Sequence, residues 1–192
     1  MKKIAVFVSG SGTNLQNIID AIEKKEINAK IALVVASKQG IFAIERAKNA
    51  NIPVSIYDKG NYENLSLMYA DLIDELKEKE VEYIVLAGYL TILTPNIINA
   101  YRQKIINIHP SLLPKFGGKG YYGLKVHKAV IEAKEEVSGA TVHFVDEEID
   151  TGDIIAQVKV PVYEYDTPEM LQARVLKEEH KLYIKALKKV LG

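Results

Sequence analysis

The chain has no cysteine, which excludes disulfides, thiolate nucleophiles and Cys-ligated metals together and suits a reducing compartment. It also has no surplus of either charge. Lys+Arg and Asp+Glu each number 25, so no global field favours a polyanion, and no local basic patch compensates; a small-molecule partner is expected and nucleic acid is not. No apolar run approaches the length of a membrane span, so no membrane role is expected. Met1-Lys2-Lys3 and the apolar residues 4–8 imitate the start of a signal peptide, but the run stops at Ser9, too early to serve as one. Repeats, linkers and low-complexity tracts are missing too. These absences point to a cytoplasmic globular protein, a monomer or homodimer.

What is present suits that expectation. Hydrophobic residues make up 48% and charged residues 26%, enough apolar surface for a core and too much for a disordered chain. A length of 192 residues fits one α/β domain, expected to span 1–192.

Apolar runs rich in β-branched residues alternate with segments of helical period, the pattern of an open, mostly parallel sheet with helices on both faces. Residues 4–8, 31–36, 54–57, 83–86 and 105–108 read as short strands, nearly continuous in apolar residues because helices cover both sides. Leu15, Ile18, Ile19 and Ile22 fall at helical spacing, as do Leu65, Met68, Leu72, Ile73 and Leu76. After His109, two prolines and four glycines crowd residues 110–123, which predicts an irregular loop. A helix over about 124–133 follows, then antiparallel strands toward the C-terminus, 140–145 and 154–162, around an acidic turn. Thr167-Pro168-Glu169 supplies an N-cap, a first-turn proline and an early carboxylate, opening a last helix that runs almost to Gly192.

Three places carry candidate chemistry. Ser9-Gly10-Ser11-Gly12-Thr13-Asn14 leaves the first strand and enters the first helix, so free backbone N–H groups and the positive helix end converge on one spot. A dinucleotide is disfavoured, because Leu15 replaces the third glycine of G-x-G-x-x-G and the second strand ends in Ala36-Ser37 without a ribose-binding acid. The NTPase loop spacing is absent as well, which leaves a monophosphate, or else a tight turn that needs glycine for its backbone angles alone. Second, Asn107 and His109 lie two apart on a strand and face the same way at its C-terminal end, where open α/β sheets bind ligands. Burying an unpaired polar group costs about 1–3 kcal/mol, so an idle pair there is unfavourable, although a hydrogen-bonded core histidine is the plainer alternative. Third, residues 146–153 form the acidic turn. A solvated loop explains most of it, and Asp150 before Thr151-Gly152 is the carboxylate a tight turn brings back over the sheet edge.

The segments Val8 to Leu15, Ala87 to Leu93, Asn107 to Pro114, and Gly139 to Val145 with Asp150-Thr151-Gly152 resemble, in order and spacing, those of the phosphoribosylglycinamide (GAR) transformylases. Methionyl-tRNA formyltransferase and formyltetrahydrofolate deformylase share Asn-x-His-Pro-Ser plus Asp, so that combination alone specifies 10-formyltetrahydrofolate chemistry and not the acceptor. Both carry an extra domain for which this length leaves no room. The resemblance implies a Rossmann-like formyltransferase fold and a co-substrate, 10-formyltetrahydrofolate, without a metal. It implies that Asn107 and a protonated His109 stabilise a tetrahedral oxyanion, and that Asp150 favours the imidazolium and helps move the proton. Gly12, Thr13 and Asn14 would hold the GAR phosphate side and Glu179 its ribose. The folate would lie against an apolar wall, with Leu90, Thr91, Ile92, Leu93, Asn107, Asp146 and Asp150 contacting it. Two departures concern the folate tail: Thr91 stands where the family usually has arginine, and Leu65 where an arginine often meets the tail. Tyr121 and Tyr122 are candidate lid residues. His127, His143 and His180 lack metal-ligand spacing. The alternatives to GAR formylation are a 10-formyltetrahydrofolate hydrolase and a non-catalytic phosphometabolite-binding module.

Overall fold

A computed structural model describes residues 1–192. Seven strands form one sheet in the order β3-β2-β1-β4-β5-β6-β7. They are β1 (Lys2–Val8), β2 (Ala29–Ala36), β3 (Val54–Ile56), β4 (Tyr83–Leu86), β5 (Ile105–His109), β6 (Val137–Phe144) and β7 (Ile154–Pro161). The first five are parallel; β6 runs antiparallel to β5, and β7 to β6. The helices are α1 (Thr13–Glu23), α2 (Phe42–Asn49), α3 (Leu65–Glu78), α4 (Pro95–Ala100), α5 (Leu124–Glu132) and α6 (Pro168–Leu191).

Alternation along β1 divides the core in two. Ile4, Val6 and Val8 join one apolar cluster with residues of α1, α2 and α6, while Ala5 and Phe7 join another with residues of α3 and α4. Both faces of the central strands are therefore dry, which is why these strands read as unbroken apolar runs. Short α2 and α4 are additions to the elements expected from periodicity, and β6 starts at Val137, three residues earlier than expected. Val137 is exposed, and its pairing with Pro161 rests on backbone hydrogen bonding, which leaves no mark in an apolar pattern.

Thr167 caps α6 by accepting from the Met170 N–H at 3.2 Å, with Pro168 in the first turn. Farther along, the buried Tyr183 hydroxyl donates to the Leu86 and Ile106 carbonyls at 2.7 and 3.1 Å, fastening α6 to the ends of β4 and β5. Glu179, one turn before Tyr183, is thereby fixed on the sheet side of α6.

Chain direction reverses between β1 and β4, because the chain moves outward from β1 to β3 and then returns to the other side of β1. Loops leaving adjacent strands in opposite directions open a crevice at the strands' C-terminal ends. The main cleft lies there.

Candidate active site

The cleft holds about 1010 Å³ and is bounded by the loop after β1, the loop after β4, the end of β5, the acidic turn and α6. Its first wall is the glycine loop. Gly12 takes a left-handed backbone (φ 74°), and a Cβ built there would lie 2.7 Å from the Ala43 Cβ, so both conformation and space require glycine. The α1 amino terminus has no side-chain cap, leaving its first N–H groups free for a ligand. Gly12, Thr13 and Asn14 all line the cleft, and the buried Asn14 Oδ1 has no protein partner. Ser9 Oγ accepts from the Leu90 N–H at 2.9 Å and ties this loop to the next wall.

That wall follows β4. Leu90, Thr91, Ile92 and Leu93 line it, with Leu86, Tyr89, Ile98 and Val145 behind. Leu90 and Ile92 are 63% and 57% exposed, so they form an open apolar surface and not a piece of core. Asp146 lines the cleft beside Asp150.

At the centre, Asn107 and His109 project from the end of β5, as their two-residue spacing predicts. The Asp150 carboxylate reaches both faces of the cluster: Oδ2 stands 3.5 Å from His109 Nδ1, and Oδ1 stands 3.6 Å from His143 Nε2. Two local features bring it there. Asp150 adopts a left-handed backbone (φ 60°), a conformation open to aspartate more than to most residues. Gly152 then packs so tightly that a Cβ would lie 1.8 Å from the Phe144 carbonyl oxygen. The Gly118 N–H donates to Asp150 Oδ2 at 2.9 Å, linking the acidic turn to the glycine-rich loop. Burial pushes the Asp150 carboxyl up, but the His143 and His109 rings and the Gly118 N–H together overcome it, so the carboxyl lies below the ordinary aspartate range.

His109 departs from expectation in one respect. Its Nε2 donates to the Phe116 carbonyl at 2.7 Å while Nδ1 faces Asp150. Burial lowers its pKa below 6.5, more than Asp150 and the Phe116 carbonyl raise it, and His143 also lowers it. Burial thus works against the imidazolium in the free protein, and the facing Asp150 carboxylate offsets it only in part.

The chain's sequence alone did not single out His143, which the register places opposite Asn107. A polar-in alternation of Thr141 and His143 on β6, matching Asn107 and His109 on β5, was the available signal. Thr141 accepts from the Leu113 N–H at 3.0 Å and donates to the Ser111 carbonyl at 2.7 Å, holding the exit of β5 in place. Glu179 lines the same cleft, and burial raises its carboxyl to about 7. Tyr121 and Tyr122 also line it, 37% and 48% exposed. All the catalytic and binding candidates therefore face one cavity.

A parallel sheet with an antiparallel extension, a phosphate-type loop and an Asn-His-Asp cluster at the switch point define a formyl-transfer class of α/β protein. Residues 2–187 match the formyl transferase family, and the chain belongs to it. Among curated relatives, a chloroplastic phosphoribosylglycinamide formyltransferase of Vigna unguiculata is 48% identical over 97% of this chain and 60% of its own length. The enzyme of that name from Bacillus subtilis is 42% identical over 100% of this chain and 96% of its own. The chain thus spans less than two thirds of the plant relative and nearly all of the bacterial one. Among solved structures, glycinamide ribonucleotide transformylase 1 from Geobacillus kaustophilus superposes with a TM-score of 0.94 at 40% identity, covering 100% of both chains.

Proposed function

We propose that residues 1–192 act as a single cytoplasmic catalytic domain that transfers the formyl group of 10-formyltetrahydrofolate to the glycine amine of GAR, a step of purine synthesis. The observation that carries this reading is the meeting, in one cleft, of an uncapped helix terminus, an open apolar wall and the Asn107-His109-Asp150 cluster. Likeness to phosphoribosylglycinamide formyltransferases supports the acceptor.

In this reading Gly12, Thr13 and Asn14 hold the phosphate and ionised Glu179 accepts from the ribose hydroxyls. The folate ring lies on Leu90, Thr91, Ile92 and Leu93, with Asn107, Asp146 and Asp150 along its polar edge. The GAR amine attacks the formyl carbon, and the carbonyl electron pair moves onto oxygen. The Asn107 N–H stabilises that oxygen, as preorganised donors do by about 2.7–4 kcal/mol each. In the free protein the Phe116 carbonyl occupies His109 Nε2. Phe116 itself has a left-handed backbone (φ 53°) beside Gly117 and Gly118, in a segment suited to rearrangement. Substrate displaces this carbonyl, and Nε2–H then donates to the formyl oxygen. As negative charge develops there, the imidazole gains a proton more readily, with Asp150 facing its other nitrogen. The attacking amine loses its proton through this pair or a water, N10 of the folate receives one, and the C–N10 bond breaks as the oxygen's electron pair re-forms the carbonyl on the new formamide.

The test is formyl transfer with and without GAR. Folate turnover that requires GAR supports the reading. Equal formate release in its absence favours a hydrolase, and retained ligand binding with no chemistry to lose in His109→Ala favours a binding module.

A further inference from the structure

Two carbonyls of the loop after β1 are tied down from behind by α2. The Ala43 N–H donates to the Gly10 carbonyl at 3.2 Å, and Arg46 Nε donates to the Ser11 carbonyl at 2.8 Å. Both of these peptides are trans, and in a planar trans peptide the C=O and the next residue's N–H point in opposite directions. With the Gly10 and Ser11 carbonyls drawn toward α2, the Ser11 and Gly12 N–H groups face away from it. No backbone carbonyl accepts from either N–H. Ser11 and Gly12 line the cleft, whereas Ala43 and Arg46 do not, so the side opposite α2 is the ligand side.

Arg46 is itself held in place. Gln16 Nε2 donates to Asp20 Oδ1 at 2.8 Å, which leaves Oε1 to accept from Arg46 Nη1 at 3.3 Å. The guanidinium carbon stands 4.9 Å from the centroid of the exposed Phe42 ring, one turn back on α2. Contact with the loop is close: a Cβ built on Gly12 would lie 3.3 Å from Arg46 Cδ. Arg46 is half-buried and borders a separate, wholly polar cavity behind the loop, so the guanidinium fills no part of the apolar core.

The only lysines or arginines lining the cleft are Lys119 and Lys125, neither of them in this loop. A phosphomonoester seated at the loop is therefore served by backbone N–H groups, whose strength as donors depends on what the carbonyl of the same peptide binds. A cation on that carbonyl polarises the peptide and makes its N–H the stronger donor.

We propose that Arg46 is a positioning residue for the anion loop. Without touching the ligand, its guanidinium fixes the Ser11–Gly12 peptide with the Gly12 N–H directed into the cleft, and strengthens that N–H as a donor to a phosphomonoester. That this phosphomonoester belongs to GAR rests on the transformylase reading; the orientation of the peptide does not.

Calorimetry with ribose 5-phosphate and steady-state kinetics test it on the full chain. Arg46→Met keeps an unbranched side chain beside Phe42 while removing the donor and the charge. It is expected to weaken ribose 5-phosphate about tenfold, the scale of a hydrogen bond to a charged group, and to raise KM for GAR by the same factor with kcat and the folate KM unchanged. Arg46→Lys retains a cation able to reach one carbonyl and is expected to recover part of that loss. In amide NMR spectra of the free protein, the Gly12 N–H should move upfield in Arg46→Met as its peptide loses polarisation. Lys48→Met, on the same helix and paired with Glu45 at the surface, removes the same charge away from the loop and should change none of these. Unaltered ribose 5-phosphate affinity in Arg46→Met, an Arg46→Lys protein that binds as weakly as Arg46→Met, a folate KM that rises in step with that for GAR, or no binding by the unmodified protein would overturn the assignment. Arg46-dependent binding of ribose 5-phosphate with no formyl transfer to GAR would uphold it and overturn the transformylase reading.

Discussion

Asn107 and His143 stand opposite one another in the antiparallel pairing of β5 with β6, and Asn107 Nδ2 lies 3.2 Å from His143 Nε2. His143 Nδ1 lies 2.8 Å from the Phe144 carbonyl and donates to it, and Nε2 stands between the Asn107 side chain and Asp150 Oδ1. The Asn107 side chain, which lines the cleft, is oriented by its 3.2 Å contact with His143 Nε2. His143→Phe frees the amide to rotate. The expected result is a kcat lowered about tenfold to a hundredfold, below the 10²–10³ loss expected for Asn107→Ala, which removes the donor outright. Both substrate KM values should change little. A His143→Phe enzyme with unaltered kcat would detach this residue from the reaction.

Asp150→Asn keeps the shape of the turn and removes the charge facing His109. The imidazolium then loses its one opposing charge while burial remains, so His109 should titrate at lower pH than in the unmodified protein. NMR of the imidazole C2 proton measures this. The expected kcat loss is about 10²-fold or more, in the range of general acid–base contributions. An upward or absent shift in the His109 titration would contradict the coupling.

Gly152→Ala tests how the carboxylate is delivered. The added methyl would collide with the Phe144 carbonyl oxygen, and backbone cannot yield as a flexible side chain does. We expect a stability loss of about 1–3 kcal/mol and a kcat close to that of Asp150→Asn. Thermal melting and kcat measured on one preparation check both.

Glu179 sets function against stability. Its carboxyl is raised to about 7 in the folded protein against 4.5 ordinarily. Between those values the folded state holds a proton that the unfolded chain has released. This group's contribution to stability is therefore full below about 4.5 and falls as pH rises through about 7, by about 3 kcal/mol at most. Glu179→Gln removes that dependence: relative to the unmodified protein it should gain melting temperature at pH 8 and gain little at pH 5. In exchange KM for GAR should rise, most at high pH, where the ionised carboxylate is the better acceptor. Identical melting differences at both pH values would remove the linkage.

Much of the sheet was legible in the chain because burial on both faces forces continuous apolar, β-branched strands, and these stand out between helical stripes. The glycine loop, Asn107 and His109 were legible for a related reason: glycine and paired polar residues interrupt patterns that packing would otherwise keep unbroken. Glu179 was visible as a carboxylate on an apolar helix face. By contrast, α2 and α4 span 8 and 6 residues, too few for a period to declare itself.

The amino-acid order by itself determined the alternation of strands and helices, the parallel sheet and the polar interruptions at strand ends, since each follows from local periodicity and the cost of burying unpaired groups. Only the tertiary structure decided that His143 meets Asn107, that Asp150 turns inward, and that a buried His109 donates to the Phe116 carbonyl. Strand register, the space around Gly152 and desolvation depend on residues far apart in the chain, and no local pattern encodes them.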